Sequence, residues 1–304
     1  MNTSILLLIR PHQIRSNEET ASNNYYQQVD IKNHDYQTLA TKEFDNLVRV
    51  LKEADIEVLV YQITDQLDTP DAHFPNNWIS FHENETVALY PMFAPNRRLE
   101  RRKSVLGFVK QNGFSINKIV DYSPYEKDLL FLEGTGSLVL DRQNKIAYCA
   151  LSERSNNKLL EIFCDDFNYK AIAFTANQTV NQQRKAIYHT NVMMCIADTF
   201  AVICLACIDD EKERNKVITQ LKASNKTIIE LTEYQLTHFA GNMLQVSSKK
   251  GKKYLVMSSA AYQCLTPQQI QQIESHCAIL HVPIPTIEKL GGGSVRCMMA
   301  EMIS

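Results

Sequence analysis

The sequence predicts an α/β fold built from repeated units, and three observations lead to this prediction. Apolar residues alternate between strand spacing and helical spacing along the 304-residue chain. A unit of strand, turn, strand, helix and strand recurs four times with a period of roughly 50–60 residues, which is typical of radial or solenoid assemblies. The two chain ends contain the parts of a fifth unit that would close a ring; an open α/β sheet is the alternative.

The first elements are predicted from residue spacing and from the residues that end them. Ile5–Ile9 is a short apolar strand, and apolar residues recur at helical spacing through Thr38–Ala54. Gly113 ends a second helical pattern, because glycine is favoured just beyond helix ends. The elements predicted between these helices and after them are Glu57–Ile63, Trp78–His82, Thr86–Tyr90, the helix Arg97–Gln111 and Ile116–Asp121.

The same order of elements follows three more times, with polar turns between the paired strands. The predicted strands are Gly136–Leu140, Lys145–Ala150, Lys170–Phe174, Val192–Ile196, Thr199–Cys207, Thr227–Glu230, Met243–Ser247, Lys253–Ser258 and Ala278–Val282. The predicted helices are Ser155–Cys164, Asp209–Lys222 and Thr266–Ser275. A last strand at Ser294–Met299 is expected to join the N-terminal strand in the fifth unit.

The composition is that of an ordinary globular protein. The chain is 44% hydrophobic and 22% charged, and its formal net charge is −2. This balance favours neither nucleic acid nor an anionic membrane, so the expected partner is a small molecule. No apolar run approaches the ~18–20 residues of a membrane span. We expect a single domain over residues 1–304.

The eight cysteines show no disulfide framework, which predicts reduced thiols in a cytoplasmic protein. Cys204 and Cys207 have CxxC spacing, but they lie in an apolar strand pattern and no second pair follows. The histidines also lack the paired spacing of metal ligands, so no metal site is expected. Neither a dinucleotide-binding nor a P-loop glycine motif occurs.

Three glycines, Gly291 to Gly293, precede Cys297 near the end of the chain. They allow a sharp turn or a close approach of the backbone to a ligand. A thiol just beyond such a turn can be a nucleophile if a base and an anion-stabilising environment lie near it. The alternative is a buried structural cysteine on a C-terminal strand.

Three other segments carry side chains suited to chemistry or binding. His189 precedes a strand of the third unit and suits proton transfer near neutral pH, and Glu133 precedes two glycines in the second unit. Asp71, Asn76 and Asn77 precede the first strand pair, beside the single tryptophan. Each could be an ordinary strand-end or turn residue. In a ring, however, these equivalent positions and the thiol would meet in one pocket.

Together these segments resemble the guanidino-group-modifying superfamily, which includes arginine deiminases, dimethylarginine hydrolases and glycine amidinotransferases. Six short motifs match in chain order over nearly the whole sequence, at residues 71–77, 94–98, 132–134, 151–154, 188–189 and 291–297. The resemblance implies a five-fold pseudosymmetric α/β propeller. It also implies an enzyme without metal or cofactor, and the homodimeric assembly that is frequent among superfamily members.

The resemblance implies a role for each matched residue. Cys297 would attack the central carbon of the substrate as a thiolate, and His189 would act as acid and base. Glu133 would hold the substrate's N–H groups and orient His189. Arg97 and Arg154 would bind the carboxylate of an amino acid. The other substrate-binding residues would be Asp71, Phe74, Asn76, Asn77 and Asn191. The rest of the 97–102 segment is expected to be an exposed helix face.

The chain departs from the superfamily pattern at two positions. Asn77 occupies a position where arginine-processing relatives carry Asp. Asn191 occupies a position where arginine deiminases carry Asp. Loss of a carboxylate leaves a buried guanidinium poorly paired, at a cost of about 3–5 kcal/mol. A carboxamide instead matches a neutral ureido group, because it both donates and accepts hydrogen bonds. This favours hydrolysis of citrulline to ornithine, ammonia and carbon dioxide.

Three other functions remain open from the sequence. The first is hydrolysis of arginine or methylarginine, with Asn77 merely tolerated. The second is transfer of an amidino group to an acceptor amine. The third is a catalytically silent binding protein that keeps the fold and the pocket, which the presence of Cys297, His189 and Glu133 disfavours.

Overall fold

A computed structural model describes residues 5–28 and 35–303 of the chain. The described residues form a mixed α/β fold with several small sheets. Five of these sheets have three strands, and each combines one antiparallel and one parallel strand pair. Residues 1–4, 29–34 and 304, which the predicted single domain includes, lie outside the described residues.

The strands follow the repeated order that the sequence predicts. The first three sheets along the chain contain β1 (Ile5–Ile9) and β2 (Glu57–Tyr61); β3 (Ile79–His82), β4 (Thr86–Leu89) and β5 (Lys118–Asp121); and β6 (Val139–Asp141), β7 (Ile146–Ala150) and β8 (Lys170–Phe174). A separate hairpin pairs β9 (Asn177–Val180) with β10 (Gln183–Ala186). The last sheets contain β11 (Met194–Ile196), β12 (Phe200–Ile203) and β13 (Thr227–Glu230), then β14 (Leu244–Ser247), β15 (Lys253–Ser258) and β16 (Ala278–Val282).

The two ends of the chain meet in one sheet. The final strand β17 (Ala300–Met302) pairs antiparallel with β1, and β1 pairs parallel with β2. Leu7, for example, lies opposite Ala300 on one side and Leu59 on the other. This sheet has the same strand order as the other four, as expected for a fifth unit. The first strands of several units also contact one another: β17 with β3, β6 with β11, and β11 with β14.

The helices lie between and beside these strands. They are α1 (Tyr36–Glu53), α2 (Pro95–Arg98), α3 (Lys103–Gln111), α4 (Gly134–Ser137), α5 (Asn157–Phe167), α6 (Thr190–Met193), α7 (Glu211–Ala223), α8 (Glu233–Leu236), α9 (Ser259–Cys264), α10 (Pro267–Glu274) and α11 (Pro285–Gly291). Short 3₁₀ turns occur at Pro75–Asn77, Ser123–Asp128, Leu205–Cys207 and Val295–Met298. None of the helices in the described ranges is both long and apolar enough to cross a bilayer.

Helix α1 illustrates how the sequence specifies these elements. The Asp35 carboxylate accepts a hydrogen bond from the backbone N–H of Thr38 at 3.0 Å, which caps the first turn. Phe44, Leu47 and Leu51 lie on one face at helical spacing and are fully buried. Burial of each side chain stabilises the fold by about 1.5–3 kcal/mol before the entropic cost.

Several sequence predictions about these elements are wrong. The predicted strands Gly136–Leu140 and Val192–Ile196 begin in the short helices α4 and α6, and the predicted strand Thr199–Cys207 ends in a 3₁₀ turn. The hairpin of β9 and β10 was not predicted. The helix predicted over Arg97–Gln111 is interrupted at residues 99–102, because Arg97 and Arg102 turn inward to ion-pair partners. The segment is therefore not an exposed helix face: Arg97, Glu100 and Arg102 are buried. The strand predicted at Ser294–Met299 is instead a 3₁₀ turn followed by β17, with Cys297 N–H bonded to the Ser294 carbonyl.

A short turn or helix precedes the first strand of each three-stranded sheet in the described chain. These segments are Pro75–Asn77 before β3, α4 before β6, α6 before β11, residues 240–243 before β14, and Val295–Met298 before β17. Helix α4 contacts both α6 and the 75–77 turn, and the 75–77 turn contacts the 295–298 turn. Four of the five segments carry residues that the sequence singled out, so the fold brings those residues to one region.

Candidate active site

The thiol of Cys297 lies in the turn Val295–Met298, and its side chain is buried. Two carboxamides donate to its sulfur: Asn242 Nδ2 at 3.3 Å and Asn191 Nδ2 at 3.5 Å. N–H donors directed at a sulfur stabilise negative charge that forms there. The structural alternative of a cysteine within a strand does not apply, since Cys297 precedes β17.

The triple glycine allows close packing beneath the nucleophile. A Cβ on Gly291 would lie 2.6 Å from the ring of Phe74 and 3.1 Å from His73 Nε2. Gly292 has a φ of +61°, a left-handed conformation that favours glycine. Phe74 therefore supports the turn that carries Cys297, in addition to any contact with substrate.

His189 forms the expected pair with Glu133. Its Nε2 lies 2.7 Å from Glu133 Oε2, and both side chains are buried. Burial lowers the pKa of His189 to about 4, and the neighbouring Glu133 opposes this shift only in part. Because the ionised carboxylate can only accept, Nε2 carries the proton of the neutral ring, and Nδ1 is left as the basic nitrogen.

Glu133 is surrounded by groups that keep it ionised. Burial acts to raise its pKa, but Arg154, His189 and Arg97 outweigh burial and lower the pKa to about 2. The closest guanidinium nitrogens are Arg154 Nη1 at 3.6 Å and Arg97 Nη1 at 3.9 Å from Oε2. The other oxygen, Oε1, accepts from the backbone N–H of Phe93 at 2.9 Å. Glu133 is therefore not a solvated turn residue, which was the alternative that the sequence left open.

The segment that carries His189 is fastened to the segment that carries Cys297 at two points. Asn191, two residues after His189, donates to the Cys297 sulfur at 3.5 Å. Tyr188, one residue before His189, donates from its hydroxyl to the Gly292 carbonyl at 2.6 Å. These contacts hold together the segments that carry the predicted nucleophile and the predicted base with its carboxylate.

Gly136 is needed for this arrangement. A Cβ at this position would lie 2.4 Å from Asn77 Nδ2 and 2.8 Å from His189 Nδ1. Gly134 also has a positive φ of +46° and lies against the backbone of Asn76 and Asn77. The acidic-glycine segment thus packs directly against the segment that begins at Asp71.

The 71–77 segment presents three polar side chains to the cluster, and all are buried. Asn77 Oδ1 accepts from Arg97 Nη1 at 2.9 Å, while its Nδ2 donates to Asn76 Oδ1 at 3.0 Å. Asp71 accepts from Asn17 Nδ2 at 2.7 Å. Burial raises the pKa of Asp71, and the nearby Arg97 opposes this shift. The surface turn considered from the sequence is therefore wrong for this segment.

The two predicted arginines are buried and bound to protein groups. Arg97 donates to both carboxylate oxygens of Glu100, at 2.9 and 3.0 Å. Arg154 donates to Asn23 Oδ1 at 2.9 Å and lies 4.9 Å from the centre of the Tyr188 ring. Arg154 therefore uses Nε and Nη2 within the protein, and its Nη1 lies 3.6 Å from Glu133 Oε2. The binding of a substrate carboxylate by these two arginines stays a prediction.

Several buried polar atoms near the nucleophile have no hydrogen-bond partner within the described chain. They include Asp71 Oδ1, Asn76 Nδ2, Asn191 Oδ1 and both ring nitrogens of His73. Buried polar atoms are normally paired, so their free capacity suits a polar ligand. The set contains acceptors and a donor, which matches a substrate with both N–H groups and a carbonyl or imine.

The sequence did not identify four contributors to this cluster. Asn17 and Asn23 come from the 17–28 loop, Glu100 from the segment predicted to be exposed, and Asn242 from the entry to β14. Single carboxamides in polar loops carry no periodic signal. Asn242 could have been found, because residues 240–243 occupy the same place in their unit as the other four entry segments.

A family model for N,N dimethylarginine dimethylhydrolase, eukaryotic, matches residues 10–304 of the chain. A search of curated protein sequences finds no match.

Several solved structures share the fold. The product-bound N-terminal domain of ArgZ, an arginine dihydrolase from cyanobacteria, has a TM-score of 0.75 at 17% identity and covers 100% of this chain and 98% of that one. AgrE with ornithine and NAD+ has a TM-score of 0.74 at 18% identity, and the match covers 99% of this chain and 39% of the AgrE chain. A dimethylarginine dimethylaminohydrolase adduct with S-methyl-L-thiocitrulline has a TM-score of 0.64 at 12% identity. The match covers 99% of this chain and 100% of that chain. The chain thus spans about two fifths of full-length ArgZ, 41%.

Proposed function

The chain belongs to the eukaryotic N,N dimethylarginine dimethylhydrolase family, within the guanidino-group-modifying superfamily, and we propose that it hydrolyses a C–N bond of a ureido or guanidino amino acid. The observation that carries this proposal is the connected cluster of Cys297, His189 and Glu133. The Nε2–Oε2 contact of 2.7 Å orients the imidazole, and Asn191 joins the same segment to the thiol. A purely binding protein has no need of a nucleophile linked to an oriented base.

The reaction proceeds in two steps. The Cys297 sulfur, after transfer of its proton to His189, attacks the central carbon of the substrate head group. The C–N bond to the amino-acid side chain breaks, and the imidazolium protonates the leaving amine. His189 then accepts a proton from water, which attacks the thioester-like carbon and releases the thiol. With citrulline the released carbamic acid decomposes, so the products are ornithine, ammonia and carbon dioxide.

Citrulline is the substrate that the carboxamides favour. Asn77 and Asn191 supply N–H and C=O groups without charge, as a neutral ureido group requires. The Asn77 oxygen already accepts from Arg97 and its Nδ2 donates one N–H to Asn76, so the second N–H of Nδ2 is left to donate to a substrate. A ureido carbonyl oxygen that becomes negative in the transition state is stabilised by such donors.

Arginine is the second candidate, and Asp71 is the observation that favours it. Its Oδ1 atom is buried and has no partner within the described chain, so a cationic head group or amine could pair with it. The structural neighbour ArgZ is described as an arginine dihydrolase, and AgrE was solved with ornithine. Dimethylarginine is a related guanidino substrate, given the family's description.

We assign Arg97 and Arg154 a positioning and electrostatic role. Both lie within 4 Å of Glu133, at 3.9 and 3.6 Å, and keep this carboxylate ionised beneath His189. Glu100 and Asn23 already accept from these guanidinium groups, and binding of a substrate carboxylate would use their remaining N–H donors. We also propose that the five similar sheets form a single catalytic domain, arranged as a closed propeller with the five entry segments at one end of its axis.

Steady-state assays with citrulline, arginine and N,N-dimethylarginine test this proposal. We expect ornithine and ammonia from citrulline, with the largest kcat/KM of the three. Cys297→Ala should abolish turnover, whereas Cys264→Ala, at a half-buried thiol outside the cluster, should not. A larger kcat/KM for arginine would replace the substrate assignment. Absence of turnover with all three would contradict the hydrolase itself.

A further inference from the structure

Asn242 contacts both halves of the catalytic cluster through a single side chain. Its Nδ2 donates to the Cys297 sulfur at 3.3 Å and to the backbone carbonyl of Asn191 at 3.0 Å. Its Oδ1 accepts from the backbone N–H of Arg296 at 3.0 Å. The side chain is 1% exposed, so these contacts are not shared with solvent. Every hydrogen-bonding group of the carboxamide is thus used at the nucleophile or beside it.

The fold holds Asn242 in this position. A Cβ on Gly241 would lie 2.2 Å from the Val192 carbonyl oxygen, so the two backbones are in direct contact. The Asn242 N–H donates to the Phe239 carbonyl at 2.8 Å, and Phe239 has a left-handed φ of +60°. The tight turn fixes the backbone of Asn242, and the three side-chain contacts fix its rotamer.

Asn242 lies at the same place in its unit as the predicted site residues do in the other four units. Each unit enters its first strand through a turn, and four of these turns carry Asn77, Glu133, His189 with Asn191, and Cys297. Residues 240–243 are the fifth entry segment, before β14. Asn242 is therefore the contribution of the one unit to which the sequence assigned no site residue.

We propose that Asn242 is a positioning residue that holds the Cys297 sulfur in place and stabilises the thiolate, together with Asn191. This proposal rests on the hydrolase function proposed above. Hydrogen bonds to charged groups are stronger than those between neutral groups, so loss of the donor is expected to lower kcat about 10- to 100-fold. KM should change little, because the interaction is with the nucleophile rather than with substrate.

Asn242→Asp is the most informative variant because it nearly preserves size. It keeps the oxygen that accepts from Arg296 N–H, but it places a second oxygen against the sulfur and the Asn191 carbonyl. Asn215→Asp introduces the same charge change on the exposed face of α7 and serves as the matched control. Asn242→Ala removes the donor without adding charge and provides a second test if the aspartate variant does not fold.

Alkylation of Cys297 by iodoacetamide, followed by peptide mass spectrometry across pH, tests the proposal without requiring turnover. In folded Asn242→Asp, we expect the pH at which the alkylation rate is half-maximal (the midpoint) to increase, with a smaller increase in Asn242→Ala. In both variants kcat should fall and KM should be retained. Asn215→Asp should match the unmodified protein. An unchanged midpoint and kcat in either folded Asn242 variant would overturn the proposal. If the unmodified protein hydrolyses no test substrate but the midpoint still moves, the role of Asn242 stands and only the hydrolase assignment fails.

Discussion

Two clusters of arginine and carboxylate side chains differ in burial. The buried cluster lies in the candidate active site, and the exposed cluster lies at the surface. In the active site, Arg97 donates to both oxygens of Glu100, and the two side chains are 3% and 0% exposed. At the surface, Arg184 contacts Asp209 at 2.6 Å and Glu233 at 2.5 Å, with side chains 35%, 48% and 30% exposed. The pairing chemistry is the same, but only the first cluster excludes water.

The pKa of a carboxylate depends on the balance between burial and its partners, and this balance differs between Glu100 and Asp209. Burial raises the pKa of Glu100 to about 7, against the opposing effect of Arg97. The hydrogen bond from Arg184 instead lowers the pKa of Asp209, and burial opposes this shift without outweighing it. In the buried cluster each charge depends on its partners, so removal of one partner should have a large effect. In the exposed cluster water replaces a lost partner.

The largest effect is expected from Glu133→Gln. This change removes the charge beside Arg154 and Arg97, and it leaves a single acceptor oxygen where Phe93 N–H and His189 each use one. We expect kcat/KM to fall about 10³- to 10⁴-fold, since loss of the carboxylate behind a catalytic histidine has an effect of this size. Urea denaturation should show a loss of about 3–5 kcal/mol, because buried guanidinium charges lose a partner. Near-normal activity would contradict the assigned role.

Gly136→Ala should have the next largest effect. Its Cβ would displace His189 Nδ1 or Asn77 Nδ2, which lie 2.8 and 2.4 Å from that position. A misplacement of this kind is expected to lower kcat about 10²-fold. Gly107→Ala, where a Cβ meets no atom within 4 Å, is the matched control and should retain activity. Equal kinetics in the two variants would show that the contact at Gly136 does not matter.

Acid pH should weaken the buried cluster in two stages. The pKa of His189 is lowered to about 4, so the unfolded chain binds this proton first, and stability falls as pH decreases from about 6.5 to 4. The pKa of Glu133 is lowered to about 2, so its contribution is lost below about pH 4.5. Glu100, whose pKa is raised to about 7, acts in the opposite direction, because the folded chain binds its proton first as pH decreases. Denaturant titrations of the unmodified protein and of His189→Gln from pH 7 to 4 therefore give the His189 contribution as the difference between their slopes, with the smaller loss of stability expected in His189→Gln. A decline of equal slope in His189→Gln would contradict the assignment.

A smaller change is expected from Asn77→Asp, which concerns substrate choice. The new carboxylate can still accept from Arg97, and rotation of Asn76 would direct its unpartnered Nδ2 toward the added oxygen. The added charge should shift the ratio of kcat/KM values toward arginine over citrulline by about tenfold, equivalent to about 1.4 kcal/mol. Assays with both substrates measure this ratio. An unchanged ratio would remove the charge argument for citrulline.

The smallest effect is expected in the exposed cluster. Glu233→Gln removes the partner that lies 2.5 Å from Arg184, yet both side chains are about one third exposed. We expect a loss of about 0–1 kcal/mol in the free energy of unfolding, with activity retained. Urea denaturation at low and high salt gives the value, and high salt should reduce it further. A loss as large as that in Glu133→Gln would break the contrast between the two clusters.

The sequence predicted the residues whose neighbours carry a local signal. Cys297 follows three glycines, and Glu133 precedes two, because the backbone must approach closely at both places. The repeated strand pattern also predicted the order of the strands, including the sheet that joins the two chain ends. These features are specified by backbone conformation and periodicity, which a single sequence displays.

The sequence could not predict contacts that depend on long-range packing. Asn23 reaches Arg154 across 131 positions, and Asn17 reaches Asp71 across 54. Glu100 lies among exposed-looking charged residues, and only the inward turn of Arg97 shows that it is buried. A carboxamide or carboxylate has the same appearance in a sequence whether water or a guanidinium satisfies it.

The most direct test of the account is mass spectrometry of the protein quenched during turnover of citrulline. The central claim is that Cys297 forms a covalent intermediate while His189, oriented by Glu133, transfers the protons. We predict a carbamoyl group on the peptide that contains Cys297, with none in Cys297→Ala and an increased amount in variants that slow the second step. Turnover that proceeds without any adduct on Cys297, or that persists in Cys297→Ala, would contradict the account.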